Sequence, residues 1–412
     1  MSGAFSRYSA VELGGLAIKE ALQRAGISGH QVDHVLMGHV LQAGQGQITA
    51  RQAAVNADIP MTVPAMTINK VCLSGINSIQ VADALISLGQ ADVVVAGGME
   101  SMTNAPYLLP KARDGYRMGN DVLIDSMIHD GLWCAFEMEH MGQGTQRYAD
   151  EHEVTRDAQD DLAMKSHQRA ADAIKNGRLA DEIVPVSVPA YKGEHVIVDT
   201  DEGVRPGTTL DSLASLRPAF APDGTVTAGN ASQLSDGAAA VVMMSREMAE
   251  RLGIAPLAEL VEYGMVAGPD PSLLHQPSRA IKRALDRAGL AVSDVDLFEI
   301  NEAFAAVGVA SMKDLGITDE IVNVNGGAIA FGHPIGMSGT RIVGTLIQEL
   351  RRRGGAASAP PHCAAGAARV TRRSFAPSDD STAVGGSQIA TPRFSQRRGA
   401  RRRRCKRTCP CR

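Results

Sequence analysis

Residues 21–27 read Ala-Leu-Gln-Arg-Ala-Gly-Ile, and residues 284–290 repeat them as Ala-Leu-Asp-Arg-Ala-Gly-Leu. A Val-Asp pair follows each copy at the same spacing, at residues 32–33 and 295–296. Each copy is typical of the end of an amphipathic helix with a Gly C-cap, and an apolar strand follows it. A chance resemblance between two Ala-rich helices is the alternative, but the shared spacing favours two homologous α/β halves.

The repeat aligns a cysteine with a histidine. Cys72 lies 39 residues after the first Val-Asp pair, and His333 lies 37 residues after the second. Each stands in a Gly- and Ser-rich turn before an apolar helix, which we predict for residues 76–88 and 341–350. We therefore expect two equivalent helix N-termini to face each other, one bearing a thiol and the other an imidazole.

The same symmetry predicts two strands that the sequence does not supply. In the first half a buried strand is predicted at 92–98, but the corresponding stretch of the second half, 356–363, contains two consecutive prolines. Because a proline cannot donate to a sheet ladder, we expect this last strand to be absent or disrupted. The second half also has a predicted strand at 257–266, whereas the ten residues before Val11 contain no apolar run. The first strand of the first half is therefore expected to be absent.

These features divide the chain into four predicted parts. They are a first half (1–105 with 235–256), an inserted loop domain (106–234), a second half (257–353) and a tail (354–412). The loop domain has no copy and contains one clear helix, predicted for 157–176. The tail holds thirteen Lys and Arg but two acidic residues. Nucleic-acid or zinc binding is the alternative, but we interpret the tail as a basic, disordered, non-native extension without such partners.

The composition favours a layered α/β enzyme. Of the 412 residues, 44% are hydrophobic but only 4% are aromatic, and 42 are Gly, so the core must be largely aliphatic. No apolar run reaches about 18 residues, and the N-terminus lacks the pattern of a secretion signal. We expect a cytoplasmic protein without a membrane partner and without a metal site.

Cys72 is the candidate nucleophile, since a thiolate at a helix N-terminus is stabilised by backbone N–H groups and the helix dipole. The alternative is a buried Cys that only packs. His333 is surrounded by glycines, which suggests a backbone pressed against another segment, and a His that faces a Cys can act as its base. A packing His is the alternative. Asn301 and Glu302 follow a strand directly and either orient a reacting group or cap the next helix.

Several longer stretches support a family resemblance. They are residues 46–47 with 50–54 (Gly-Gln, Ala-Arg-Gln-Ala-Ala), 69–75 (Asn-Lys-Val-Cys-Leu-Ser-Gly), 96–102 (Ala-Gly-Gly-Met-Glu-Ser-Met), 216–220 (Leu-Arg-Pro-Ala-Phe), 227–232 (Thr-Ala-Gly-Asn-Ala-Ser), 301–304 (Asn-Glu-Ala-Phe), 326–330 (Gly-Gly-Ala-Ile-Ala) and 332–336 (Gly-His-Pro-Ile-Gly). In this order they resemble the thiolase family, close to its acetyl-CoA acetyltransferase branch, over about residues 2–354. The resemblance implies α-β-α-β-α layers with an inserted loop domain.

The resemblance also implies a ping-pong Claisen exchange. Cys72 takes an acyl group from one CoA thioester with His333 as its activator. The carbanion of a second acetyl-CoA then attacks the acyl-enzyme, and the reverse is thiolysis of a 3-ketoacyl-CoA. Asn301 would hold a water that stabilises the enolate oxygen together with His333, and the backbone N–H of Cys72 would stabilise the other oxyanion.

Coenzyme A is implied as substrate and product, with no permanently bound cofactor. The resemblance implies CoA contacts at Leu132, His140, Met141, Arg205, Ser212, Phe220, Ala228, Ser232 and Phe304. His140-Met141 resembles the pair that covers pantetheine in the short-chain branch, so acetyl groups are expected. A homo-oligomer, dimer or tetramer, is also implied.

The chain departs from the family at both ends. The family's opening strand is missing before residues 3–5. The family's last strand ends in a Cys-x-Gly-Gly-Gly loop whose Cys removes the methyl proton. Here Cys363 has the expected spacing from His333 but foreign neighbours, which suggests a shifted reading frame. A degradative 3-ketoacyl-CoA thiolase, an inactive relative and a Cys–His hydrolase therefore remain as alternatives.

Overall fold

The computed structural model describes residues 3–354, 362–365 and 368–371, the last two segments by their backbone alone. In chain order the helices are α1 (Ala10–Ala25), α2 (Thr49–Asn56), α3 (Ser74–Ser87), α4 (Met141–Glu151), α5 (Arg156–Lys175), α6 (Leu210–Ala214), α7 (Arg246–Leu252), α8 (Gln276–Ala288), α9 (Ala305–Leu315), α10 (Ala328–Phe331) and α11 (Ser338–Arg352). The strands are β1 (His34–Gly38), β2 (Ala65–Ile68), β3 (Val93–Ser101), β4 (Tyr107–Leu108), β5 (Ile124–Asp125), β6 (Trp133–Cys134), β7 (Glu139–His140), β8 (Val186–Pro189), β9 (His195–Val198), β10 (Asp236–Met244), β11 (Glu259–Tyr263), β12 (Leu297–Glu299), β13 (His362–Ala365) and β14 (Ala368–Thr371).

The predicted repeat is present as two helix–turn–strand units. Helix α1 ends at Gly26 with φ 67°, and α8 ends at Gly289 with φ 69°. Both glycines adopt the left-handed conformation that a C-cap requires, and a side chain there would be strained. Strands β1 and β12 follow the two caps at equivalent positions.

Two four-stranded sheets form the centre of the two halves. The first has the order β10-β3-β1-β2, with β1 parallel to β2 and β3, and β10 antiparallel to β3. The second has the order β11-β14-β13-β12, with β12 parallel to β13 and the other pairs antiparallel. The counterpart of β2 in the second half is reduced to a single parallel bridge between Phe298 and Val322.

The sheets and helices stack in five layers, as the sequence predicted. One cluster joins α1 and α2 to the outer face of the first sheet through residues such as Ile18, Ala53 and Met37. A second cluster lies between the sheets and includes Leu36 together with residues of α3 and α11. A third joins the second sheet to α8 and α9 around Phe298. The layers are therefore α-β-α-β-α, with α3 and α11 in the middle.

The expected loss of the last strand was wrong. Strand β13 begins at His362, directly after Pro361, and lies between β12 and β14. Proline removes only its own ladder donor, so the residues from His362 onward still pair with β12. A second short strand, β14, then fills the gap between β13 and β11.

The first half lacks the strand that the second half has at the corresponding edge. In the second sheet β11 pairs with β14, but within residues 3–354 no strand precedes α1 and β10 pairs only with β3. This agrees with the absent first strand predicted from the sequence. The free edge of β10 is the main difference between the two sheets.

The inserted segment contains α4, α5, α6 and three two-stranded sheets, β4-β5, β6-β7 and β8-β9. Its long helix α5 begins at Arg156, one residue before the predicted start. Thr155 caps this helix, because its hydroxyl accepts the N–H of Ala158. No helix in the described part of the chain combines the length and apolar character that a membrane crossing requires.

Candidate active site

Cys72 lies in a tight turn two residues before α3. Val71 precedes it with φ 49°, a left-handed conformation that is strained for a β-branched residue. The turn is closed by Ser74, whose hydroxyl donates to the carbonyl of Val71 at 2.6 Å and accepts the N–H of Lys70 at 2.8 Å. Cys72 is half-buried, so this turn presents the thiol toward the second half of the molecule.

His333 lies in the equivalent turn between α10 and α11, and it is 6% exposed. The glycines around it allow close approach between segments, as predicted. A Cβ at Gly336 would lie 2.9 Å from the carbonyl oxygen of Met99, and one at Gly339 would clash with the backbone of Ile76. The His333 turn is therefore pressed against β3 and α3 of the first half.

The two predicted chemical groups meet at this contact. His333 Nε2 lies 3.0 Å from Cys72 Sγ. His333 Nδ1 lies 2.5 Å from the hydroxyl of Ser338, which itself donates to the carbonyl of Pro334 at 3.1 Å. Because that hydroxyl proton is already used, Ser338 accepts the Nδ1 proton. We therefore assign the tautomer in which Nε2 is free to accept the thiol proton.

Sequence reasoning missed Ser338. The sequence does contain a signal for it, because Ser338 is the hydroxyl residue that opens α11, five positions after His333. A hydroxyl residue this close to His333, on the same tight turn, is placed to contact the imidazole. The sequence alone does not say which of the two ring nitrogens it contacts.

The expectation of a lowered thiol pKa was wrong. Burial raises the pKa of Cys72 to about 12, the backbone N–H of Cys72 itself lowers it less, and the charge of Glu100 raises it further. Burial also lowers the pKa of His333 to about 4, and the guanidinium of Arg341 contributes in the same direction. Loss of solvation outweighs the helix N-terminus at Cys72. The resting pair is a neutral thiol beside a neutral imidazole.

Asn301 joins this pair, whereas its neighbour Glu302 has a structural role. The side-chain amide nitrogen of Asn301 lies 3.4 Å from His333 Nε2. Glu302 accepts hydrogen bonds from Ser166 at 2.7 Å and from Asn323 at 2.8 Å, which connect it to α5 and to the turn before α10. Phe304, not Asn301, is the N-cap residue of α9. Of the two alternatives for Asn301, the geometry favours contact with the reacting groups.

Five of the residues suggested as CoA contacts belong to two apolar clusters and a ring stack. Leu132 lies in the cluster that contacts Cys72. Met141, Phe220 and Phe304 share a second cluster. The ring of His140 stacks on Phe220 with centroids 5.1 Å apart, and Phe220 meets Phe304 edge to face at 6.3 Å.

The other suggested contacts lie on neighbouring loops. Arg205, Ser212 and Ala228 are exposed, and Ser232 is partly buried. The backbone N–H of Arg205 donates to His167, and that of Ser232 donates to the carbonyl of Ala303. Their contact with CoA stays a prediction.

Cys363 lies on β13, where its backbone pairs with Leu297. Leu297 is four residues before Asn301, which corresponds to about 13 Å of extended strand. This register counts against a position beside Asn301 and His333. The position of the Cys363 thiol lies outside the described atoms, so its role as a base remains a prediction.

Comparison with protein families agrees with this geometry. Residues 1–247 match the N-terminal domain of thiolase, and residues 254–372 match its C-terminal domain. The chain belongs to the thiolase family. Its Cys72 and His333 thus come from two homologous thiolase domains, one from each.

Named thiolase relatives cover most of the chain. A probable acetyl-CoA acetyltransferase of Mycolicibacterium smegmatis is 52% identical over 89% of this chain and 94% of its own length. An acetyl-CoA acetyltransferase of Cupriavidus necator is 52% identical over 85% of this chain and 89% of its own length. The crystal structure of the Bacillus anthracis acetyl-CoA acetyltransferase superposes with a TM-score of 0.85 at 39% identity, covering 90% of this chain and 95% of that one.

Proposed function

We propose that this thiolase transfers acetyl groups between CoA thioesters, condensing two acetyl-CoA molecules to acetoacetyl-CoA or cleaving acetoacetyl-CoA with CoA. The observation that supports this most directly is the 3.0 Å contact between His333 Nε2 and Cys72 Sγ. The names of the relatives, acetyl-CoA acetyltransferases at about half identity, support the acetyl substrate.

The first step is acylation of Cys72. The sulphur attacks the thioester carbonyl carbon while the thiol proton passes to His333 Nε2. The bond between that carbon and the sulphur of CoA then breaks, and the departing CoA takes the proton from His333. One thioester replaces another, so the step needs no oxidant or reductant. Because both resting groups are neutral, proton transfer must accompany attack.

The second step forms the carbon–carbon bond. A second acetyl-CoA loses a methyl proton, and its carbanion attacks the acyl carbon on Cys72. The Cys72 sulphur leaves as a thiolate, and the proton taken from the methyl group is passed back to it, which restores the neutral resting pair. The amide of Asn301 faces the same space as His333 and is suited to hold the water that, together with His333, stabilises the negative oxygen of the enolate.

Cys363 is the sequence-based candidate for accepting the methyl proton. We expect a Cys363→Ser variant to discriminate this role from a purely structural one. A base at this position predicts normal acetylation of Cys72 but loss of condensation, measured as acetoacetyl-CoA formed from acetyl-CoA. Unchanged condensation would assign the proton transfer to another group.

The proposed site for the pantetheine arm of CoA consists of Leu132, the stacked rings of His140 and Phe220, and Phe304. Apolar walls with few polar groups are typical of sites that bind such extended ligands. Replacing Phe220 by Ala removes the ring between His140 and Phe304, so we expect KM for acetoacetyl-CoA to rise with little change in kcat.

Chain-length preference tests the acetyl assignment against a degradative 3-ketoacyl-CoA thiolase. Thiolysis of acetoacetyl-CoA is compared with that of longer 3-ketoacyl-CoA thioesters by loss of the 3-ketoacyl absorbance. A higher kcat/KM for acetoacetyl-CoA is expected. A preference for long chains would contradict the proposal, and acyl release to water without CoA would favour a hydrolase.

We also propose that the protein forms a homo-oligomer, either a dimer or a tetramer. Several apolar side chains are exposed, including Met61 before β2 at 69% and Met118 and Phe136 in the loop domain at 99% and 89%. Light scattering after size-exclusion chromatography tests this, and a monomer would contradict it. The cytoplasmic location and a role in lipid metabolism stay predictions.

A further inference from the structure

We propose that Glu100 is a positioning residue, which fixes the distance between Cys72 and His333 by binding the backbone segments that support both. Glu100 lies on β3 in the first half and is 0% exposed. This inference rests on the proposed function of the Cys72–His333 pair. No contact between the Glu100 side chain and the side chain of Cys72 or His333 is found in the described part of the chain, so it acts through the backbone.

The first connection runs to the turn that carries His333. Glu100 Oε2 accepts the backbone N–H of Gly336 at 2.9 Å, three residues after His333. A Cβ there would lie 2.9 Å from the carbonyl oxygen of Met99 and 3.0 Å from that same carboxylate oxygen, so a side chain would push the turn away. The carboxylate and the missing side chain together set how closely this turn approaches the first half.

The second connection runs to the segment that supports Cys72. Glu100 accepts the backbone N–H groups of Val40 at 3.2 Å and Leu41 at 3.0 Å. The carbonyl of Val40 accepts the side-chain amide of Asn69 at 3.5 Å, and Asn69 in turn accepts the N–H of Val71. Glu100 is therefore connected to the residue directly before Cys72.

The third connection compensates the buried charge. His39 Nε2 lies 3.3 Å from Glu100 Oε1, and both side chains are almost completely buried. His39 Nδ1 lies 3.0 Å from the hydroxyl of Thr49, which is 3.2 Å from the hydroxyl of Thr67 in β2. A buried carboxylate is costly unless several donors satisfy it, and this one has three N–H donors and a His. The same interactions restrict its position.

The effect of the Glu100 charge on Cys72 does not explain why a carboxylate is buried at this position. Burial is the main reason that the pKa of Cys72 is raised, and the negative charge of Glu100 adds to this effect. Removing the charge without moving the backbone would therefore favour the Cys72 thiolate. Removing the whole side chain releases three backbone N–H groups and lets the two turns move apart. The two substitutions thus separate a geometric role from an electrostatic one.

The test measures alkylation of Cys72 by iodoacetamide, followed by peptide mapping, beside thiolysis of acetoacetyl-CoA. Alkylation uses the Cys72–His333 pair but not CoA, so it reports on the pair even if the proposed function fails. In Glu100→Ala we expect both the alkylation rate and kcat to fall by roughly 10–100-fold, with KM nearly unchanged. Glu100→Gln, which keeps one acceptor oxygen, should retain an intermediate rate.

Glu349→Gln is the matched control. Glu349 is also a buried carboxylate, 3% exposed, but it contacts Asn325, Arg352 and Arg353 near the end of α11. This variant should lose stability while Cys72 keeps its wild-type rate. The proposal is overturned if Glu100→Ala alkylates at the wild-type rate, if its loss matches that of the control, or if Glu100→Gln reacts no faster than Glu100→Ala.

Discussion

At the scale of single residues, the chemistry depends on where one proton sits. The hydrogen bond between His333 Nδ1 and Ser338 keeps Nε2 unprotonated, and burial keeps the imidazole neutral. The thiol of Cys72 is neutral as well, because its pKa is raised to about 12. We therefore expect the thiol proton to move during attack, with no thiolate present in the resting pair.

Ser338→Ala tests this assignment. Without the hydroxyl, Nδ1 loses its acceptor and the imidazole can adopt the wrong tautomer, so we expect kcat to fall by about tenfold or more. The measurement is thiolysis of acetoacetyl-CoA at pH 7. Ser311→Ala is the control, since Ser311 is a fully buried serine of α9 whose hydroxyl donates to the carbonyl of Leu274. Equal activity in both variants would contradict the role of Ser338.

The lowered pKa of His333 predicts a pH dependence of stability. Its value is about 4 in the folded protein, against 6.5 in the unfolded chain. Between these values the unfolded chain binds a proton that the folded one does not, so stability falls as pH drops from 6.5 to 4. When the pH is lowered from 7 to 5, we expect wild type to lose about 2 kcal/mol more unfolding free energy than His333→Asn loses.

Urea unfolding at both pH values measures this difference. The pKa of His167 is also lowered to about 4, mainly by burial. His167 is present in both chains, so its contribution cancels. An identical pH dependence in wild type and His333→Asn would show that His333 is not a buried neutral imidazole.

The sequence predicted which residues meet but not how they are ionised. The repeat aligned Cys72 with His333, because two copies of one fold place equivalent turns around a common axis. It gave the wrong sign for the pKa of Cys72, since burial depends on neighbours that are distant in the chain, such as Ile335. Ser338 was missed for a related reason, because a hydroxyl in a turn has several possible partners.

At the scale of secondary-structure elements, the central feature is the close contact between β3 and the His333 turn. A Cβ at Gly98 would clash with the carbonyl oxygen of Gly336. Backbone atoms cannot move away as a flexible side chain can, so this contact fixes the position of the turn. The same elements contain Glu100 and Gly336, which form a hydrogen bond across the contact.

Gly98→Ala and Gly344→Ala form a contrasting pair. In Gly98→Ala we expect a loss of about 1–3 kcal/mol of unfolding free energy and reduced activity, because the His333 turn must shift. Gly344 lies inside α11, and a Cβ there would meet no heavy atom within 4 Å beyond the backbone of its own helix. Ala at this position should stabilise the protein by about 0.5–1 kcal/mol. Thermal unfolding and thiolysis rates are measured for both variants. Equal changes in stability and activity in Gly98→Ala and Gly344→Ala would contradict this packing.

Helices were predicted more closely than the last strands. The expected helix at 157–176 is observed at Arg156–Lys175, because Thr155 is a clear N-cap signal. Strand β13 was rejected on the basis of two prolines, although the residues after them could still pair. Sheet pairing depends on partners that are far away in sequence. A proline therefore excludes its own position from the interior of a strand, but it does not show whether a strand begins directly after it.

At the scale of the whole molecule, the second sheet depends on two short strands near the end of the described chain. β13 and β14 separate β12 from β11, so removing them leaves two strands without partners. The fold of the second half therefore requires residues up to Thr371.

Two truncations test this dependence. A chain that ends at Arg372 keeps all four strands and should unfold cooperatively, as measured by circular dichroism. A chain that ends at Gly354 loses β13 and β14 and should be insoluble or unfold at a much lower temperature. Equal melting of the two truncated chains would contradict the sheet order β11-β14-β13-β12.

The proposed chemistry of the whole molecule requires an acyl group on one particular sulphur. The most direct measurement is mass spectrometry of the folded protein after brief incubation with acetoacetyl-CoA, with peptide mapping and a Cys72→Ala control. We predict one acetyl group per chain, located on the peptide that contains Cys72 and absent from the control. A folded chain that stays unmodified, or that is modified equally without Cys72, would contradict the central claim.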